Sequence, residues 1–169
     1  MSRLIRAVQA VAVAWIMVGT EVRADDEPLF VSVERLTLES ALRVAQGAIN
    51  ACRAEGLQIA ATVIDRNGRI QVQLRDVLAP HVTGPISERK AIAAMAFNLP
   101  TSELDGRFTS PFSVGKFEEF VMSAGAVPIE AGGVFYGAVG VSGAPSGETD
   151  EECAAAGVDS IRDDLEMSQ

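Results

Sequence analysis

The chain has a single histidine, His81, the first residue to consider for chemistry. It shares a short stretch with Arg75 and Asp76, so an imidazole, a guanidinium and a carboxylate fall close together in sequence. Neutral imidazole is the commonest metal ligand and a common general base. As a base, His81 would need Asp76 or Arg75 to orient a substrate. A lone loop histidine is more often an ordinary solvated residue, and nothing nearby completes a Ser-His-Asp pattern. The chain has no nucleophile elbow, Walker loop or dinucleotide fingerprint. One histidine and two distant cysteines, Cys52 and Cys153, lack the ligand spacing of a zinc site. Gly132-Gly133, Gly137, Gly140 and Gly143 have no phosphate-cradling order and read as hairpin turning and close backbone approach. The acidic run Glu148, Asp150, Glu151 and Glu152 suits a helix N-terminus better than a calcium site.

The elements that must position these residues are legible from periodicity. Leu38, Ala41, Leu42, Ala45, Ala48, Ile49 and Cys52 keep i, i+3, i+4 spacing, which predicts an amphipathic helix capped by Thr37 and ended by Gly56. Gln58–Ile64 is an apolar, β-branched run, and Arg69–Leu74 alternates strictly. Between them Asn67-Gly68 predicts a tight hairpin turn with two positive-φ residues, and Ile70, Val72 and Leu74 should face the core. His81 then sits in a loop, and Pro85 opens a helix running to about Asn98, stopped by Pro100. Residues 101–116 read as irregular, followed by a short amphipathic piece at Phe117, Phe120 and Val121. Val127–Glu130 and Val134–Ser142 form a second strand pair. Thr149 with Glu152 reads as a capping box opening a last helix, with Ala154, Val158, Ile161 and Leu165 inward. The order is α-β-β-α-β-β-α, an antiparallel sheet flanked by helices, α+β in class.

Composition supports one globular domain over residues 36–169. Of 169 residues, 48% are hydrophobic, 22% charged and 5% aromatic, which excludes disorder and a disulfide-dense miniature. The net charge of −9 argues against a nucleic-acid partner, for there is no basic excess to displace phosphate counterions. Arg3 and Arg6 precede the apolar stretch Ala7–Gly19, too short to span a membrane, and Val22-Arg23-Ala24 resembles a signal-peptidase site. Residues 1–24 therefore read as a cleaved secretory signal and 25–35 as a loose arm. Cleavage takes the charge from −9 to −11 and removes Trp15, the only tryptophan. The mature chain is then periplasmic or secreted, with no membrane span. An even cysteine count in an oxidising compartment predicts a Cys52–Cys153 disulfide joining the first and last helices.

Several stretches, taken in order, resemble a known family. They are Ala60-Ala61-Thr62-Val63-Ile64-Asp65-Arg66-Asn67-Gly68, Arg75-Asp76, Ala79-Pro80-His81, Lys90-Ala91, Pro100-Thr101 and Pro128-Ile129. The set ends with Gly137-Ala138-Val139-Gly140-Val141-Ser142-Gly143 and Asp150-Glu151-Glu152-Cys153-Ala154. Together they are similar to the GlcG/HbpS-like heme-binding family, which includes the PduO C-terminal domain. The resemblance spans roughly residues 36–165. It implies a profilin-like sandwich, assembly into symmetric homo-oligomers, and heme as the cofactor. Where the family has Lys-Ala followed by Thr-Ala, this chain has Lys90-Ala91-Ile92-Ala93, which removes a hydroxyl from the ligand side.

Heme needs an axial donor, an apolar slot and cations for two propionates. His81 is the leading iron ligand, with Tyr136 and Met122 in reserve. Arg75, Arg89 and Lys90 are the candidate propionate partners, and Met95, Phe97 and Phe108 candidate slot residues. The whole reading requires the His81 imidazole to face an apolar crevice. The expected role is an exported heme carrier, sensor or buffer, not obviously a catalyst. The alternatives are a small-molecule enzyme with His81 as base and Asp76 orienting, or an accessory or assembly protein of a catabolic pathway.

Overall fold

The computed structural model describes residues 28–169. The signal-peptide reading of residues 1–24, and the first part of the arm, lie outside the described residues. Residues 28–32 belong to a separate unit without regular structure, and Val33–Gln169 form the folded unit.

The first helix, α1 (Leu38–Ala54), begins where expected: Thr37 is extended, and its hydroxyl accepts the Ser40 N–H at 3.2 Å. Strands β1 (Ala60–Asp65) and β2 (Ile70–Arg75) form the predicted hairpin. Its turn differs from the expected form. Only Gly68 has positive φ, at 75°, while Asn67 does not. Asp65 Oδ1 accepts the N–H groups of Asn67 (2.8 Å) and Arg69 (3.0 Å), and these bonds hold a three-residue loop instead. On β2 only Val72 is fully buried, and Ile70 is 46% exposed, because β2 is an edge strand.

Helix α2 (Thr83–Phe97) starts two residues before Pro85, which therefore sits in the first turn, where its missing N–H costs nothing. It ends at Asn98 in the left-handed region, φ 48°. Short 3-10 turns at Thr101–Leu104 and Val114–Lys116 punctuate the following segment. Strands β3 (Ala126–Ala131) and β4 (Val134–Ser142) join through Gly132 and Gly133, both at positive φ (56° and 79°), the pair the tight hairpin turn demands. The last predicted helix is two: α3 (Gly147–Asp159) and α4 (Arg162–Met167). The cap of α3 is Ser146, not Thr149: the Ser146 hydroxyl accepts the Thr149 N–H at 3.2 Å. The break falls at Ser160-Ile161, where the Ser160 carbonyl accepts from Arg43 instead of continuing the helix (3.0 Å).

All pairings are antiparallel, in the order β2-β1-β4-β3. One face of the sheet meets α1 and α3 over the main core, which includes Val44, Ala48, Ile59, Val63, Val139 and Val158. The other face meets α2 through Ile64, Ala91, Ala94, Ala126 and Ala138. Helices α1 and α3 run antiparallel: Arg43 reaches Ser160, Gly47 lies against Gly157, and Cys52 is bridged to Cys153 with Cα atoms 5.6 Å apart. The expected disulfide and α+β architecture are both present.

Candidate functional site

Strand β2 delivers Arg75 and Asp76 to a turn that is held by its own hydrogen bonds. Asp76 N–H donates to Ile59 O (2.9 Å), Ala79 N–H to Asp76 O (3.1 Å), and Thr83 Oγ1 to Pro80 O (2.7 Å). The Arg75 guanidinium donates to the carbonyls of Asp76 (3.3 Å) and Ala79. The Asp76 side chain is buried, and its two oxygens accept from Arg53 Nε (2.9 Å) and Ile59 N–H (3.2 Å). Neither oxygen is bonded to His81, so this carboxylate anchors β2 to α1 and does not orient the imidazole.

His81 itself is exposed at the head of α2. Its aliphatic neighbours are exposed too: Val77 is 86%, Leu78 77% and Val82 45% accessible. His81 lines none of the three clefts of about 610, 560 and 130 Å³. In a single copy the imidazole is exposed and is not enclosed in the apolar crevice that the sequence reading required. What exists is a turn with an exposed imidazole and exposed aliphatic groups, its carbonyls held by the Arg75 guanidinium.

The other predicted site residues go elsewhere. Lys90 points inward from α2 and pairs with Asp150 of α3 at 2.8 Å, both side chains only 5% exposed. Its ammonium packs so closely that a Cβ on Gly125 would meet Nζ at 2.4 Å. This lysine is bound to an internal carboxylate and is not offered to a ligand at the surface. Arg89 and Met95 line a cleft of about 560 Å³ beside the β1–β2 turn, together with Arg69, Pro85 and Ile92. Phe97 stacks near Phe108 (5.0 Å) and Phe120 (5.6 Å), which explains these rings as local packing. Met122 is half-buried.

Tyr136 is on the opposite side of the sheet. Alternation from Val139 and Val141 would put it on the α2 face with Ala138. However, Ile129 pairs with Gly137 and Glu130 with Phe135, so Tyr136 is an extra residue, a β-bulge. The bulge turns the ring onto the α1/α3 face, where it is 6% exposed within the main core. There it forms part of the floor of a cleft of about 610 Å³. The rim includes Arg35 and Arg43, which the sequence reading passed over because both follow the polar side of the arm and of α1.

Searches of known proteins give this fold a relative. No curated protein matches. The crystal structure of HbpS is 36% identical, with a TM-score of 0.73, covering 78% of this chain and 93% of that one. A double mutant of Streptomyces reticuli HbpS is 33% identical, with a TM-score of 0.72, covering 91% and 97%. The crystal structure of a PduOC:heme complex has the same fold at 21% identity, with a TM-score of 0.67, covering 76% and 96%. A family model described as haem degrading protein HbpS-like matches residues 36–159, and the chain belongs to that HbpS-like family.

Proposed function

We propose that this chain is an exported heme-binding protein, a carrier, sensor or buffer, with His81 as the axial ligand. The observation that carries the reading is membership of an HbpS-like, haem-named family along nearly all of the folded unit. The turn from Asp76 to Val82 supplies an imidazole and three exposed aliphatic side chains, and the Arg75 guanidinium adjoins it at the end of β2. Arg89 lies farther along α2, beside the β1–β2 turn, and is not counted among these parts. Lys90 and Tyr136 take no part, one held by Asp150 and the other on the opposite face. When bound, heme supplies an iron able to take a further ligand or an electron.

Such a surface is half of a slot. Cofactor sites enclose most of their ligand, so a second wall is needed, and a second copy of the chain is its source in this proposal. Homo-oligomers in which two His81 turns face each other follow from it. Export is supported by the leader-like segment at residues 1–24 and by the buried Cys52–Cys153 bridge, a bond that persists in oxidising compartments. Asp76 is fully engaged by Arg53 and Ile59, so the geometry does not favour the enzyme reading.

Hemin titration tests the proposal. A Soret band should grow and saturate at micromolar hemin, and His81→Ala should weaken binding at least tenfold. An absent band, or the same titration in His81→Ala, overturns it. Light scattering on the loaded protein should give a mass above one copy.

A further inference from the structure

The cleft that holds Tyr136 is not used by the heme proposal, and it lies across the sheet from α2. Its floor is apolar: Leu36, Val134, Tyr136, Ile161 and Leu165. Its rim carries two guanidiniums, Arg35 and Arg43, and two carboxylates, Glu34 and Asp164. Arg43 gives one N–H to the Ser160 carbonyl (3.0 Å) and forms an ion pair with Asp164 (2.7 Å), half-exposed on both sides. Arg35 has a single carboxylate within reach among the described residues, Asp65 at 3.6 Å. Each guanidinium carries five N–H donors, and most of them have no acceptor among the described residues. The Ser40 hydroxyl adds another donor beside Arg43. A half-exposed ion pair such as Arg43–Asp164 is cheap to exchange for another carboxylate.

The bulge at Tyr136 supports a built site more than accidental space. Bulges re-aim side chains, and this one brings the only tyrosine of the chain into the cleft. Its phenolic oxygen accepts from the Gln169 side-chain amide at 3.3 Å, and the same amide donates to the Ala131 carbonyl at 2.7 Å. The volume, about 610 Å³, is in the range of small-molecule sites.

We propose that this cleft binds a small molecule with an apolar body and one carboxylate, the body on the Leu36–Tyr136–Leu165 floor and the carboxylate on Arg43. The Gln169 side chain moves aside as the ligand enters. The site is independent of His81.

The single tyrosine provides a reporter. Full chain labelled with 3-fluorotyrosine gives one ¹⁹F resonance, which decanoate should shift saturably. Arg43→Gln, an exposed change that leaves the core untouched, should weaken decanoate at least tenfold. Decanol should bind the original chain no better than decanoate binds Arg43→Gln. His81→Ala should leave the decanoate titration unchanged while weakening hemin binding at least tenfold, so the two proposals fail separately. A resonance unmoved by millimolar decanoate, or an equal response in Arg43→Gln or to decanol, overturns the assignment.

Discussion

Two residues within the family motifs, Lys90 and His81, have opposite fates, and substitution separates them. Lys90 is 2.8 Å from Asp150 with both side chains almost fully buried. Removing one partner of such a pair strands a charge in a poor solvent. Lys90→Met should therefore lower stability by about 3–5 kcal/mol in urea unfolding while leaving the hemin affinity of the folded protein unchanged. His81→Ala should do the reverse. The side chain is exposed, so stability should change by no more than about 0.5 kcal/mol while hemin binding falls. From sequence, both residues were possible ligand contacts. Distance along the chain does not reveal that Lys90 will find a carboxylate sixty positions later.

At the scale of elements, α2 rests on the sheet through small residues, and that contact sets the spacing of the layer. A Cβ on Gly140 would stand 2.1 Å from Ser87 O and 2.8 Å from Ala91 N, both backbone atoms that cannot rotate aside. Gly140→Ala should lift α2 from β4 and destabilise the fold by about 3 kcal/mol or more, measured as a lower urea midpoint. The helix would carry the His81 turn with it, so hemin affinity should fall as well. Here the periodicity was informative: α1, α2, both hairpins and the inward face of α3 are where it placed them. It failed at the β1–β2 turn, where Asp65 side-chain bonds replaced the positive φ expected at Asn67. It failed again at the α3 cap, which a neighbouring hydroxyl took. Both misses concern which of several local polar groups wins a backbone N–H, a choice settled by small energy differences.

Across the whole molecule, the bridge between Cys52 and Cys153 closes a loop of about one hundred residues. In the chain-entropy account such a closure is worth up to about 4.7 kcal/mol. Replacing both cysteines by alanine should lower unfolding free energy by about 3–5 kcal/mol, read from denaturant midpoints, with the fold retained at low temperature. The amino-acid sequence alone determined the class, the order of elements, the cysteine pairing and the family resemblance, because these depend on spacing repeated over many residues. Only the tertiary structure decided which side of the sheet Tyr136 occupies, that Lys90 is spent on Asp150, and that His81 stands in the open. A one-residue bulge, a buried pairing and an exposed turn are properties of strands and helices meeting, and no local pattern encodes them.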